Sequence, residues 1–325
     1  MVKKIINIPT IRDDERGYNQ IFKIANEVFD NPKQHFDFDF KGCARIDHNG
    51  VVILGGLAQF VNYQNSLASR SIGGVIGSKA LYSAGVMFKV DSMSELISNQ
   101  LIENNFLNHF TQENFQGYKS GDYIGYRQHN SLLDADEIAF HLNEKWLSAE
   151  KLSITPRLKE AIVSRIFEIF MNAYGHGTSI QNIRQLGVYS CGQYDKKERK
   201  LNLSVVDFGP GIITNVRNAN PGITDEKEAM NWALMRGNST RTDSQGIDMP
   251  RGLGFDLLHE FVKLNLGVIR VYSNGVSAIS SKGEPYKISE NKYEFNGTMV
   301  SIQINCDNRH YRLFSESVNE QHKFY

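Results

Sequence analysis

The chain has 325 residues, with 36 basic against 36 acidic side chains and three cysteines. That length admits two domains, while the balanced charge removes any electrostatic drive toward nucleic acid or an anionic membrane, so neither is expected as a partner. The cysteines, at positions 43, 191 and 306, are odd in number and unclustered, which argues for reduced thiols, no zinc site and a cytoplasmic setting.

The first residues, Met1-Val-Lys-Lys-Ile-Ile-Asn7-Ile-Pro9, begin basic, but Asn7, Pro9 and the charged residues beyond them cut off any signal-peptide core. Phe36-Asp-Phe38-Asp-Phe40 alternates like a half-buried strand. It leads through Cys43-Ala-Arg-Ile-Asp47-His48-Asn49-Gly50 into an apolar run, Val51 to Phe60, that reads as a buried helix. The longest strongly apolar stretch, near Val51 to Val61, is too short to span a bilayer. Gly73-Gly74-Val-Ile-Gly77-Ser78-Lys79 has the order Gly-Ser-Lys and the wrong glycine spacing for a Walker loop, so it reads as a turn.

Further on, Ile162, Ile166, Phe167, Ile169 and Phe170 fit a helical period, which puts Glu168 and Asn172 on one face, one turn apart. Magnesium prefers oxygen and borrows few protein ligands alongside phosphates and water, so the Asn172 carbonyl suits a single contribution. Glu168 then sits beside the metal's water, placed to orient or deprotonate a water or hydroxyl nucleophile. Taken alone, the pair fits an amphipathic helix with two polar surface residues better than a metal site.

Leu201-Asn-Leu203-Ser-Val205-Val206 alternates and then runs apolar, reading as a strand that delivers Asp207 to its end, where the chain turns through Gly209 and Gly211. An Asp there can accept a hydrogen bond from an exocyclic amine such as adenine's, and glycines let backbone approach a ring or phosphate. An ordinary strand-to-loop turn uses the same residues. A dinucleotide fingerprint is excluded, because Gly209-Pro-Gly211 lacks the third glycine. Arg236 to Gly246, which includes Ser239 and Thr240, is polar and suits a mobile lid over phosphates or a plain solvated loop. Gly252-Leu253-Gly254 then opens a helix whose Phe255, Leu258, Phe261, Val262 and Leu266 recur at three- and four-residue steps, leaving free N–H groups where phosphate binds.

These blocks, in this order, resemble the ATP-binding domain shared by DNA gyrase, the large heat-shock chaperones, histidine kinases and MutL, the GHKL family. The resemblance covers roughly residues 133 to 306. It implies a left-handed α/β sandwich of the Bergerat type, a mixed sheet with helices on one face. It also implies ATP and Mg2+ as cofactors, with Glu168, Asn172 and Ala173 as the magnesium block, Asn172 holding the metal. Asp207, Gly209 and Gly211 form the adenine block, and Gly252, Leu253 and Gly254 the phosphate block. Gly297-Thr298 resembles the family's Gly-Thr, whose threonine hydroxyl supports the adenine-binding Asp.

Asn172-Ala-Tyr-Gly-His176 resembles the form common in histidine kinases and anti-sigma serine kinases, where His176 either approaches a phosphate or is a surface histidine. His141, in Phe140-His-Leu-Asn-Glu-Lys-Trp146, reads as an amphipathic-helix residue rather than a phosphoacceptor, because the paired dimerising helices of a histidine kinase need more helical sequence. Residues 1–125 form a smaller α/β domain that weakly resembles a STAS module with His48 and Asn49 at the serine positions of its phosphorylated turn; an unrelated α/β domain is the alternative. Residues 307–325 read as a C-terminal tail. The expected partner is a protein, regulatory or phosphoaccepting, and a homodimer is admitted. The expected function is ATP hydrolysis or phosphotransfer in signalling, or a nucleotide-gated interaction protein with little chemistry.

Overall fold

The computed structural model describes residues 3–71, 85–111, 114–129, 135–177, 187–235, 237–238 and 255–316. Two sheets organise them. The first is parallel and three-stranded, in the order β1 (Lys3–Asn7), β2 (His35–Asp39), β3 (Val86–Lys89). Its crossovers are α1 (Glu15–Phe29) and α2 (His48–Ser71), and α3 (Glu95–Glu103) and the single turn α4 (Leu107–Phe110) follow β3. Asp14 caps α1, its carboxylate accepting the Gly17 N–H at 2.8 Å, and Tyr18, Ile21, Phe22, Ala25 and Val28 form the buried stripe.

The second sheet has five strands in the order β4 (Tyr123–His129), β5 (Val188–Asp195), β6 (Lys200–Asp207), β8 (Lys287–Asn305), β7 (Val268–Ser281). Helices α5 (Ala135–His141) and α6 (Pro156–Gly177) lie between β4 and β5. Helices α7 (Gly211–Ala219), α8 (Glu226–Leu234) and α9 (Phe255–Leu264) lie between β6 and β7. Every pairing between neighbouring strands is antiparallel, so the expected mixed sheet is corrected to an antiparallel one.

Alternation along the strands divides the core. Odd residues of β6, Leu201, Leu203 and Val205, join Ile162, Ile166, Phe170, Leu258, Phe261 and Val262 beneath α6–α9. Even residues Val206 and Phe208 join Phe22, Val52, Leu57 and Phe295 beneath α1 and α2. Helices therefore cover both faces of this sheet, where one had been expected. The reason lies in α2, whose Val51, Val52, Ile53, Leu54, Leu57, Ala58 and Val61 are buried all round, because the helix is sandwiched between both sheets. Gly55 admits the Tyr126 ring, whose Oη lies 2.6 Å from where a Cβ would stand.

The core of the first unit is thus completed by side chains of the second, Tyr126, Tyr189, Phe208, Tyr272 and Met299 among them. Strand β4 also crosses the expected limit at residue 125 and belongs to the second sheet. The expected tail from residue 307 is folded as far as Glu316: Tyr311 N–H donates to Ser153 O and Thr155 N–H to Tyr311 O, both at 2.9 Å. Helix α9 stops at Leu264, and Leu266, expected on its apolar face, is 53% exposed with φ 56°, because the helix closes through Gly267 N–H to Val262 O. Among the described residues, no helix is long and apolar enough to cross a membrane.

Candidate nucleotide site

Asp207 ends β6 on its odd face, beneath the helical layer, and is 5% exposed. Its Oδ1 accepts the Gly209 N–H at 2.9 Å, which folds the turn back on the carboxylate. Across the ladder its register partner is Thr298, whose backbone and hydroxyl both hydrogen-bond Asp207. Burial pushes the carboxyl up to about 7, against the bonds from Gly209 and Thr298 that favour its ionised form. A buried carboxyl that titrates near neutrality and keeps acceptor capacity fits an exocyclic amine.

Gly297 enables that approach. At φ 130° it lies flat against the turn, and a Cβ there would overlap the Asp207 carbonyl and stand 2.9 Å from Phe208 Cα. Gly211, at φ 83°, opens α7 against β7, where a Cβ would meet Ser273 Oγ at 2.7 Å. Its small size therefore serves contact with the protein itself.

Sequence reasoning missed Ser273 and Asn274. Ser273 Oγ accepts the Ile212 N–H at 2.7 Å and donates to Gly297 O at 2.9 Å, tying α7 to the Gly-Thr segment. Asn274, at φ 54°, donates from Nδ2 to Pro210 O at 3.1 Å. The signal for them was Asn274-Gly275 inside an otherwise regular strand, where pairing with β8 shifts register.

On α6, Ile162, Ile166, Ile169, Phe170 and Ala173 are buried, while Glu168 and Asn172 are half-buried at the flank, one turn apart. Glu168 is ion-paired with Arg165 at i,i+3. His176 falls on the last turn of α6. The candidate phosphate and lid residues Gly252, Leu253, Gly254, Ser239 and Thr240 lie outside the described residues. The structure thus brings together the Asp207–Gly211 turn and Thr298 of the neighbouring strand, on the face of the sheet covered by the helical layer that carries Glu168 and Asn172. For magnesium the fit rests on donor chemistry, one neutral oxygen from Asn172 beside nucleotide phosphates. Among the described residues, no group of three or more His, Cys, Asp or Glu is gathered to hold a metal unaided.

Two other constellations resolve differently. Ser204 Oγ lies 2.8 Å from His48 Nδ1, and His48 Nε2 lies 3.8 Å from Asp13 Oδ2, an order that suggests a nucleophile, a base and an acid. Ser204 has no exposed surface and His48 is 3% exposed, so no substrate reaches them; the row interlocks the two units. His141 is buried at the end of α5, with Arg127 Nη2 3.4 Å from its Nδ1 and its Nε2 enclosed. Burial first, and then Arg127, pushes it down to about 4, which suits a core histidine rather than a phosphoacceptor. An open cleft of about 530 Å3 between α1 and the β8 arm mixes Asp14, Glu15, Arg16, Lys23 and Lys292 and shares no residue with the site.

No protein-family model matches the chain, and no curated protein is similar to it in sequence.

Proposed function

We propose that this chain is a cytoplasmic, Mg-ATP-binding regulatory protein of the GHKL type, with a Bergerat-like second unit. The observation that carries this reading is the Asp207 turn: a buried carboxyl held by Gly209 and Thr298 at a strand end, on the face of the sheet that α6–α9 cover, α6 being the helix that bears Glu168 and Asn172. Asp207 accepts from the adenine amine. Asn172 holds magnesium, which neutralises phosphate charge. On this reading Gly252, Leu253 and Gly254 are the phosphate-binding residues, Ser239 and Thr240 bind nucleotide with them, and His176 is the residue that approaches a phosphate. Glu168 orients water, or the hydroxyl of a protein partner, for attack on the terminal phosphorus.

In this reading the first unit is a regulatory module and not the phosphoacceptor, since His48 and Asn49 stand where the STAS resemblance puts serines; Asp47, His48 and Asn49 are buried, at 6%, 3% and 0% exposure, and His48 meets Ser204 of β6. A second reading, a nucleotide-gated switch with little chemistry, draws on the Arg165 ion pair, which engages Glu168 before any nucleophile arrives.

Calorimetric titration with ATP, with and without Mg2+, alongside phosphate release and transfer assays, tests both readings. Magnesium-dependent binding is expected, and Glu168→Ala is expected to lower turnover by about ten-fold or more while affinity stays within about two-fold. Tight binding with neither hydrolysis nor transfer in the wild type removes the enzyme reading and leaves the switch. No binding removes both.

A further inference from the structure

Asp207 and Phe208 are consecutive residues whose side chains project to opposite faces of the second sheet, as strand geometry requires. Asp207 looks into the candidate nucleotide site. Phe208, 6% exposed, enters the first unit, where it meets Phe29 of α1 at 5.3 Å between ring centroids, with the planes at 78°, and Phe60 of α2 at 6.4 Å and 70°. Tyr189 and Phe295 close the cage at 5.7 and 6.0 Å. Gly56 forms the wall: a Cβ on it would stand 2.6 Å from Phe208 Cε2 and 3.1 Å from Tyr189 Cδ2, so α2 rests directly on the ring. The Gly209 N–H that holds the Asp207 carboxylate belongs to the next residue along. The Phe208 backbone therefore joins the carboxylate to its main-chain donor, while its ring is set by α1 and α2 on the opposite face of the sheet.

We propose that Phe208 is a positioning residue through which α1 and α2 of the first unit set the geometry, and hence the nucleotide affinity, of the Asp207–Gly211 turn. Displacing α2 by a fraction of an ångström drags the ring, tilts the Asp207–Phe208 peptide and loosens the Gly209 hydrogen bond. By reciprocity, a nucleotide that orders the turn stiffens α2 against the sheet. Any event that shifts α2 is thereby reported at Asp207. The affinity part of this inference rests on the nucleotide reading above; the mechanical part does not.

The test uses the full chain as wild type, Gly56→Ala, Phe208→Leu and the double variant, with Phe60→Leu as a member that loosens the cage without overlap. Two readouts are taken: the Mg-ATP dissociation constant, and amide hydrogen exchange at Gly209 and Ile212 without nucleotide. Gly56→Ala is expected to weaken Mg-ATP about five-fold or more and to speed exchange at those two amides, while the β5–β6 ladder keeps its protection. Room made by Phe208→Leu should absorb the added methyl, so the double variant should match Phe208→Leu within about two-fold, a coupling that general destabilisation does not produce. Should Gly56→Ala not fold, Phe60→Leu carries the same expectation of faster exchange at Gly209. Unchanged affinity and unchanged exchange in Gly56→Ala overturn the proposal, as does a defect that the double variant fails to relieve. If the wild type binds no Mg-ATP, the nucleotide reading falls, and the exchange readout still decides whether α2 governs the turn.

Discussion

Asp207→Asn is expected to weaken Mg-ATP binding by about 3 kcal/mol, on the order of a hundred-fold, while leaving the free protein more stable above neutral pH. The first half follows from what the substitution removes, an ionised acceptor facing the adenine amine at the end of β6. The second half follows from linkage. The folded carboxyl titrates near 7 because it is buried, whereas in the unfolded chain it titrates in the ordinary aspartate range. Between those values the folded state holds the extra proton. The associated stability is fully present below the unfolded pKa and is lost as pH rises through about 7, when a buried carboxylate must form. Asn carries no such penalty, so its advantage in melting temperature should be present at pH 8 and shrink toward pH 5. Nucleotide binding in the wild type should show the mirror image. Below pH 7 protonation leaves the carboxyl a neutral and weaker acceptor for the adenine amine, so affinity should fall toward lower pH, by at most about ten-fold per pH unit. Calorimetry at pH 6 and 8 with thermal melts checks both halves; full affinity in Asp207→Asn removes the adenine assignment.

Arg270→Met should cost about 3–5 kcal/mol of folding stability, since it strands a buried carboxylate between the two units. Asp13 accepts from Arg270 Nη1 at 3.0 Å and from the Tyr18 hydroxyl at 2.6 Å, with Arg270 Nη2 also donating to the Asp13 carbonyl at 3.3 Å. Tyr18 stacks on Tyr272 at 4.5 Å, and Asp13 N–H donates to Asp47 Oδ2 at 2.9 Å, so the ion pair is the centre of a packed network. Burial, the largest single influence, opposes the charge on Asp13; Arg270, His48 and the Tyr18 hydroxyl together outweigh it and hold the carboxyl well below its usual range. The stability this confers is present above the unfolded pKa and is lost as pH falls from there through the depressed folded value, so the Arg270→Met deficit should be full at neutral pH and shrink in acid, below about pH 4. Adding Asp13→Asn should restore much of it by removing the unpaired charge. Urea unfolding of the wild type and these two variants decides the matter. A loss under about 1 kcal/mol in Arg270→Met would show that the pair contributes little to joining the units.

What could be read from the residues alone was local. The period around Ile162–Phe170, the strand into Asp207 and the apolar run from Val51 each appear where their patterns place them, and Thr298 stands opposite Asp207. What escaped was two-sided burial. Asn202, Ser204, Val206 and Phe208 look like the solvent side of a strand, and only the adjacent Val205-Val206 hinted that both faces were covered. The polar row Ser204, Ser301 and Arg270, neighbours across β6, β8 and β7, meets His48 and Asp13 from more than 150 residues earlier, and no short-range pattern carries that separation. The fold of residues 307–316 was missed for the same reason, because Tyr311 packs beside Ile154, far upstream.

The shared core also constrains the order in which the chain can assemble. Helix α2 emerges early in synthesis with its Val51–Ala58 stretch apolar on every side, yet the surfaces that cover it include Tyr126, Tyr189 and Phe208, all of them made only after the first unit has been translated. Strand β8, which separates β6 from β7, is the last of the sheet to be made. Such high contact order slows folding and leaves a sticky helix waiting for its cover. The nascent first unit should therefore engage holding chaperones until the ribosome has passed residue 305, and cutting the chain between the units should yield two aggregation-prone fragments rather than two domains.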